Sequence, residues 1–171
     1  MTPTAIDVGD SSLLRIEVVD QRELAVARQM HAVLLLAHAQ EARQLGVQNF
    51  VPMARTAEDL QGSANFHLAA FHGDELVGAV ILGADDEGDQ ISVVTLVVHP
   101  SHQRRGIARR LMCEALHRGA GQVFSVCTAA ANAPALALYR GLGFVVYRHG
   151  TLGPDALALV KLRRPPGAAP Q

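Results

Sequence analysis

Between Leu96 and Met112 the chain reads LVVHPSHQRRGIARRLM, and the types and spacing of these residues describe an anion site. An apolar strand ending in Leu96, Val97 and Val98 passes Pro100 and enters the hexad Gln103, Arg104, Arg105, Gly106, Ile107, Ala108, which opens an amphipathic helix. The first turn of a helix has backbone N–H groups without intrahelical acceptors, and the helix dipole adds partial positive charge there. Gly106 lacks a Cβ and admits a ligand close to the main chain, while Arg104 and Arg105 add full charges beside it. A pyrophosphate carried on a nucleotide suits this cradle, and the strand edge ahead of it can pair with an extended amide-bearing chain. Coenzyme A combines the two. The competing reading leaves the arginines solvated and makes Gly106 an interior helix glycine, costing ~1 kcal/mol against alanine.

Further along the chain stand Asn132, Ala135, Tyr139 and the pair Gly143-Phe144. With Gln103, Gly106 and Ala108 they resemble, in order, the two signatures of the GNAT superfamily of acetyl-CoA-dependent N-acyltransferases. One signature is Gln or Arg, two residues, Gly, one residue, then Gly or Ala. The other is Asn, Ala, Tyr and Gly-Phe. The resemblance implies acetyl-CoA as cosubstrate and transfer of its acetyl group to a primary amine of a small molecule or peptide, by direct attack in a ternary complex. It also implies that the residues from Gln103 to Ala108 bind the pyrophosphate, that Leu96, Val97 and Val98 offer backbone groups to the pantetheine arm, and that Asn132 touches the cofactor's amide chain while capping its helix. Many relatives dimerise, so a homodimer is an expectation.

Amine attack on a thioester requires a positioned carbonyl, a deprotonated amine and a stabilised leaving thiolate. The cradle meets the first need by turning remote binding energy into positioning. Tyr139 is the candidate for the third: a phenol is protonated at neutral pH, and its family counterpart is assigned the general-acid role. The alternative for Tyr139 is a packed core residue. The second need has no evident side chain, because strand residues 91–96 (ISVVTL) and 123–128 (VFSVCT) contain no carboxylate. An ordered water chain is the default base. His99 can relay a proton but reads more simply as a loop histidine before Pro100, and Cys127 reads as an ordinary buried thiol. His31 and His38 share a helix face, and with Glu41 they are placed to contact an acceptor, or simply to pack. The missing strand carboxylate motivates a rival of another class, a non-catalytic coenzyme A-binding sensor or interaction module.

Composition bounds these readings. The chain has 171 residues, 49% of them hydrophobic and 18% charged, with a net charge of −1, which fits one globular domain with an ample core. Its 15 basic and 16 acidic residues are interspersed, so nucleic acid is not expected as a partner. Cys113 and Cys127 fit no zinc spacing, and no metal site is expected; with no signal-peptide core, reduced thiols in a cytoplasm follow. The longest apolar run, Ala32 to Ala37, is far short of the ~18 residues of a membrane span.

The elements that must position the site follow from periodicity and turn residues. Strands are predicted at 13–19, 66–71, 76–82, 91–98, 122–126, 144–148 and 157–162, and helices at 22–45, 57–61, from the hexad onward and at 134–141. The result is an α/β mixed fold, GNAT-like by resemblance: a central mixed, mostly antiparallel sheet of about seven strands flanked by about four helices, forming a single domain over 13–163. Residues 1–12 and 164–171 read as loose termini, and the acidic run from Asp85 to Asp89 as a flexible turn serving solubility. Loops 47–61 and 147–155 are expected at the acceptor site; with Phe50, Pro52, Met53, Arg55 and Tyr147 but few acids, they favour a small or partly apolar amine, or an anionic one met by Arg55.

Overall fold

Seven strands are laid down in the order β1 (Leu14–Val18), β2 (Phe66–His72), β3 (Glu75–Asp85), β4 (Gly88–Val98), β5 (Val123–Ala129), β6 (Val145–Leu152) and β7 (Leu157–Arg164). In the computed structural model, which describes residues 13–48 and 50–168, they form one sheet ordered β1-β2-β3-β4-β5-β7-β6. Every neighbouring pair is antiparallel except β4 and β5. The helices are α1 (Leu24–Leu45), α2 (Ala57–Gln61), α3 (Ile107–Arg118) and α4 (Ala133–Gly141). Short 3-10 turns at Val51–Ala54 and Pro100–His102 have no periodic signature in the sequence.

Alternation along the central strands builds a core on each side of the sheet. Val80 of β3 and Phe124 of β5 turn toward α3 and α4, packing with Leu111, Met112 and Tyr139. Ala79 and Ile81, the neighbours of Val80, turn the other way and pack with Met30, Val33 and Ala37 of α1 and Leu60 of α2. Each fully buried aliphatic side chain contributes ~1.5–3 kcal/mol of transfer free energy, which is why a strand buried on both faces sits at the centre. Gly46 ends α1 in the left-handed conformation (φ 69°), its N–H and that of Val47 closing on carbonyls of the last turn. Thr56 starts α2 with a capping box: its hydroxyl accepts from Asp59 N–H at 3.1 Å, and the Asp59 carboxylate accepts from Thr56 N–H at 2.8 Å.

The parallel pair matters most for the site. β4 and β5 are in register only from Gln90↔Val123 to Val93↔Val126. Opposite β3, the pairing passes from Leu82↔Val93 to Ile81↔Thr95, so Val94 is an extra residue, a bulge that bends β4. Beyond it the edge of β4 from Thr95 to Val98 is unpaired on the β5 side, and a slot opens between the strands.

Several expectations are corrected. The segment Asp85 to Asp89, expected as a flexible turn serving solubility, is a tight hairpin: β3 and β4 extend to meet over Asp86 and Glu87, and two of its acids serve the fold. The Asp85 side chain is 2% exposed, accepts from the Ser125 hydroxyl and pairs with Lys161 Nζ at 2.9 Å. Glu87 is held by Arg148 at 2.6 Å, Lys161 at 3.2 Å and the Tyr147 hydroxyl at 2.9 Å. The reason is cross-strand: β7 and β6 bring their basic residues over the hairpin, so Asp85 and Glu87 are neutralised while Asp86 and Asp89 stay exposed. The last strand runs to Arg164, expected in a loose tail, which donates from Nε to the Leu142 carbonyl at 2.7 Å. The rest of the expected loose termini, residues 1–12 and 169–171, lies outside the described residues.

Candidate active site

α3 begins at Ile107, the fifth residue of the hexad expected to open it. Gln103 closes the 3-10 turn, Gly106 is the N-cap of α3 in the left-handed region (φ 76°), and Ile107 is its first helical residue. Arg104 is also left-handed (φ 64°), a conformation that is costly for a side-chain-bearing residue and rare outside turns and functional loops. Such loops turn main-chain N–H groups into an anion-binding concavity. No side chain caps α3, and its first intrahelical bond is Arg110 N–H to Gly106 O, so the preceding N–H groups of the first turn have no helical acceptor. A Cβ built on Gly106 would meet nothing within 4 Å. The glycine therefore opens onto unfilled space.

That space is a cleft of about 510 Å³. Of the residues expected to bind a cofactor, Leu96, Val97, Val98, Gln103, Arg104, Gly106, Ile107, Ala108 and Asn132 all line it. Arg105 and Tyr139 do not. Arg105 is exposed beside the loop, and Tyr139 is 5% exposed, with its ring 5.5 Å from that of Phe144. Burial, with a smaller push from the charge of Glu41, drives the Tyr139 phenol well above its ordinary pKa, so it stays protonated. A depression of about 560 Å³ at residues 18–22 and 63–65 contains none of the signature residues.

The fourth wall of the cleft comes from α1, whose Ala37, Gln40, Glu41 and Gln44 face the cradle. Gln103 donates to Gln40 Oε1 at 2.7 Å and to the Val98 carbonyl at 3.2 Å. Asn132 accepts from Ala135 N–H through Oδ1, capping α4, and donates from Nδ2 to Glu41 Oε1 at 2.9 Å. Burial raises the Glu41 pKa while the Asn132 bond pulls it back. Of these α1 residues only Glu41 carried a local signal, its place one turn beyond His38; the others meet the motifs across more than sixty positions of sequence.

The remaining candidates resolve into structural duties. His99 Nδ1 accepts from Ser101 N–H and caps the 3-10 turn, and His31 Nε2 lies 3.0 Å from the Arg55 carbonyl. His38 is buried edge-on to Phe50, and desolvation, with help from the charge of Arg55, lowers its pKa to about 4. Cys127 is exposed rather than buried because β4 has left the β5 edge there, yet desolvation still raises its thiol pKa against the pull of Lys161. It is not a thiolate nucleophile. Of the stretch 147–155 expected as a loop, Tyr147 to Leu152 is strand β6, because the pairing with β7 runs on to Leu152↔Leu157. The turn that follows lies near the other loop, Gly153 and Pro154 sharing a small pocket with Val47, Phe50 and Val51, while Tyr147 is bonded to Glu87 at the β3–β4 hairpin. Among the described residues no helix is long and apolar enough to cross a membrane, and no three His, Cys, Asp or Glu side chains are grouped to hold a metal ion.

A splayed parallel pair thus leaves a slot between its strands, with the uncapped N-terminus of α3 at its mouth. The chain belongs to the acetyltransferase (GNAT) family, whose sequence profile matches residues 35–144. It is 35% identical over 118 residues to the N-alpha-acetyltransferase RimI of Mycobacterium tuberculosis, covering 65% of this chain and 75% of that protein. It is 28% identical over 130 residues to the UPF0157 protein YqkA of Bacillus subtilis, covering 75% of this chain but only 37% of that protein, so it spans well under half the length of YqkA. Among solved structures, the PaiA N-acetyltransferase of Thermoplasma acidophilum in complex with coenzyme A superposes with a TM-score of 0.70 over 89% of this chain and 98% of that one, at 15% identity, a likeness of fold.

Proposed function

We propose that this chain transfers an acetyl group from acetyl-CoA to a primary amine of a small molecule or peptide, by direct attack while both substrates are bound. The observation that carries this reading is the cleft itself. It joins an uncapped helix N-terminus at Gly106 to the free edge of β4 through one continuous space. The residues fit coenzyme A: the loop at Arg104 and Gly106 suits a diphosphate, and the unpaired main chain of Leu96 to Val98 suits the amides of a pantetheine arm.

Acetyl-CoA supplies the activated acyl thioester. The protein's own part is to grip that substrate far from its reacting carbon and so fix the thioester in place. Asn132, held by its cap and by Glu41, presents its amide to the cleft wall. Tyr139 is the general acid: its environment keeps the phenol protonated at neutral pH, so that its O–H can be offered to the sulfur as the C–S bond breaks. The identity with RimI supports a peptide α-amine among the acceptors. Thiol release from acetyl-CoA tests the reading. Release above background with amines or peptides carrying a free α-amine is expected; tight cofactor binding with no release under any acceptor would leave the non-catalytic sensor.

A further inference from the structure

Transfer to an amine needs a group that removes a proton from nitrogen, and the cleft-facing strands carry no carboxylate between residues 91–96 or 123–128. The helix opposite carries one. Among the residues lining the cleft, Glu41 is the sole acid. Its Oε1 is fixed by Asn132 Nδ2 at 2.9 Å, and no hydrogen bond to Oε2 is made within the described residues. One oxygen is thus held while the other is left to a ligand.

We propose that Glu41 is the proton acceptor for the incoming amine, a role that rests on the acetyl-transfer reading above. Its surroundings suit the task. Partial burial strengthens the carboxylate as a base, and the same charge helps to keep Tyr139 protonated, so the acid and the base of the reaction are electrostatic neighbours with opposite duties. The other titratable groups on the cleft are His102 from the 3-10 turn, Arg104 from the loop and Arg109 from α3, with Tyr139 of α4 behind the wall. Desolvation lowers the His102 pKa against the pull of Glu75, which makes its imidazole a weaker proton acceptor than an ordinary histidine.

The proton balance closes. Glu41 takes one proton from the bound ammonium and passes it to solvent. The freed nitrogen lone pair forms the C–N bond to the acyl carbon, and the extra proton now on nitrogen goes to Glu41. The C–S bond breaks, the sulfur takes the phenolic proton of Tyr139, and the proton on Glu41 restores the phenol. Amide, thiol and one released proton are the products.

The test uses the full chain and Glu41→Gln, which keeps an acceptor oxygen for Asn132. Thiol release is followed from pH 5 to 9 with tyramine, spermidine and an alanine-leading tetrapeptide, alongside calorimetric titration with acetyl-CoA. The expected result is a fall in kcat of roughly a hundredfold, loss of the acid limb of the pH profile, and acetyl-CoA affinity within about twofold of the wild type. Glu41→Ala should regain part of its rate in added formate. An unchanged rate and pH profile, or a loss due wholly to weaker acetyl-CoA binding, overturns the assignment while the wild type stays active. A wild type that releases no thiol with any acceptor overturns the acetyl-transfer reading as well.

Discussion

The side-chain amide of Gln103 reaches across sixty-three positions of sequence to Gln40 Oε1, 2.7 Å away, while the same nitrogen lies 3.2 Å from the Val98 carbonyl. A signature glutamine is therefore a brace joining the end of β4 to α1. Asn132 repeats the pattern from the other signature, tied to Glu41 one residue along the same helix. Each such bond adds ~1 kcal/mol net, modest for stability but enough to hold a loop whose Arg104 and Gly106 backbones are left-handed.

Gly106 is the position where the loop tolerates least change. A β-branched residue there must adopt φ near 76°, at a cost of ~1–2 kcal/mol, and its side chain would occupy the mouth of the cleft. For Gly106→Val we expect a melting temperature only a few degrees lower and an acetyl-CoA affinity weaker by roughly tenfold or more, read by thermal unfolding and calorimetry. Wild-type affinity in that variant would remove the cradle.

Tyr139 packs through its ring, so Tyr139→Phe should fold as the wild type does. The loss falls on chemistry: kcat lower by roughly 10²-fold, with acetyl-CoA affinity unchanged, in a steady-state assay. A fully active variant would show that the thiolate departs unaided.

Lys161 faces Asp85 at the centre of the hairpin cluster, their side chains 20% and 2% exposed. Lys161→Met should leave the Asp85 carboxylate buried without its cation and cost ~3 kcal/mol, seen as a lower urea midpoint. Adding Asp85→Asn should recover part of that loss.

His38 gives a pH signature. Its folded pKa, about 4, lies below the ordinary 6.5, so the unfolded chain binds the proton more readily between those values. The neutral, buried ring stabilises the fold above pH 6.5, and that contribution, up to ~3 kcal/mol, is lost as pH falls toward 4. Urea midpoints across this window should decline in the wild type and flatten in His38→Gln.

Most of this architecture could be read from the chain because periodicity and punctuation agreed. The Thr56 to Asp59 box, Gly46 and the turn at Gly73 mark their boundaries by local chemistry alone. That a strand leads through a glycine into α3 was equally legible, since these residues are contiguous. What stayed hidden was non-local. No spacing announces that Gln40 and Glu41 will face Gln103 and Asn132, nor that β7 will lay Lys161 over Asp85, so the acidic hairpin looked like solvent-facing charge. The bulge at Val94 was also silent, because an extra residue in an apolar strand leaves the alternation apparently intact.

Titration of the wild-type chain with acetyl-CoA in a calorimeter reaches the central claim most directly. We expect saturable one-to-one binding, with a dissociation constant between about 1 μM and 1 mM, the range in which enzymes commonly meet their substrates. No heat at millimolar acetyl-CoA from a folded chain would contradict the claim that the loop at Gly106 and the open edge of β4 form a coenzyme A site.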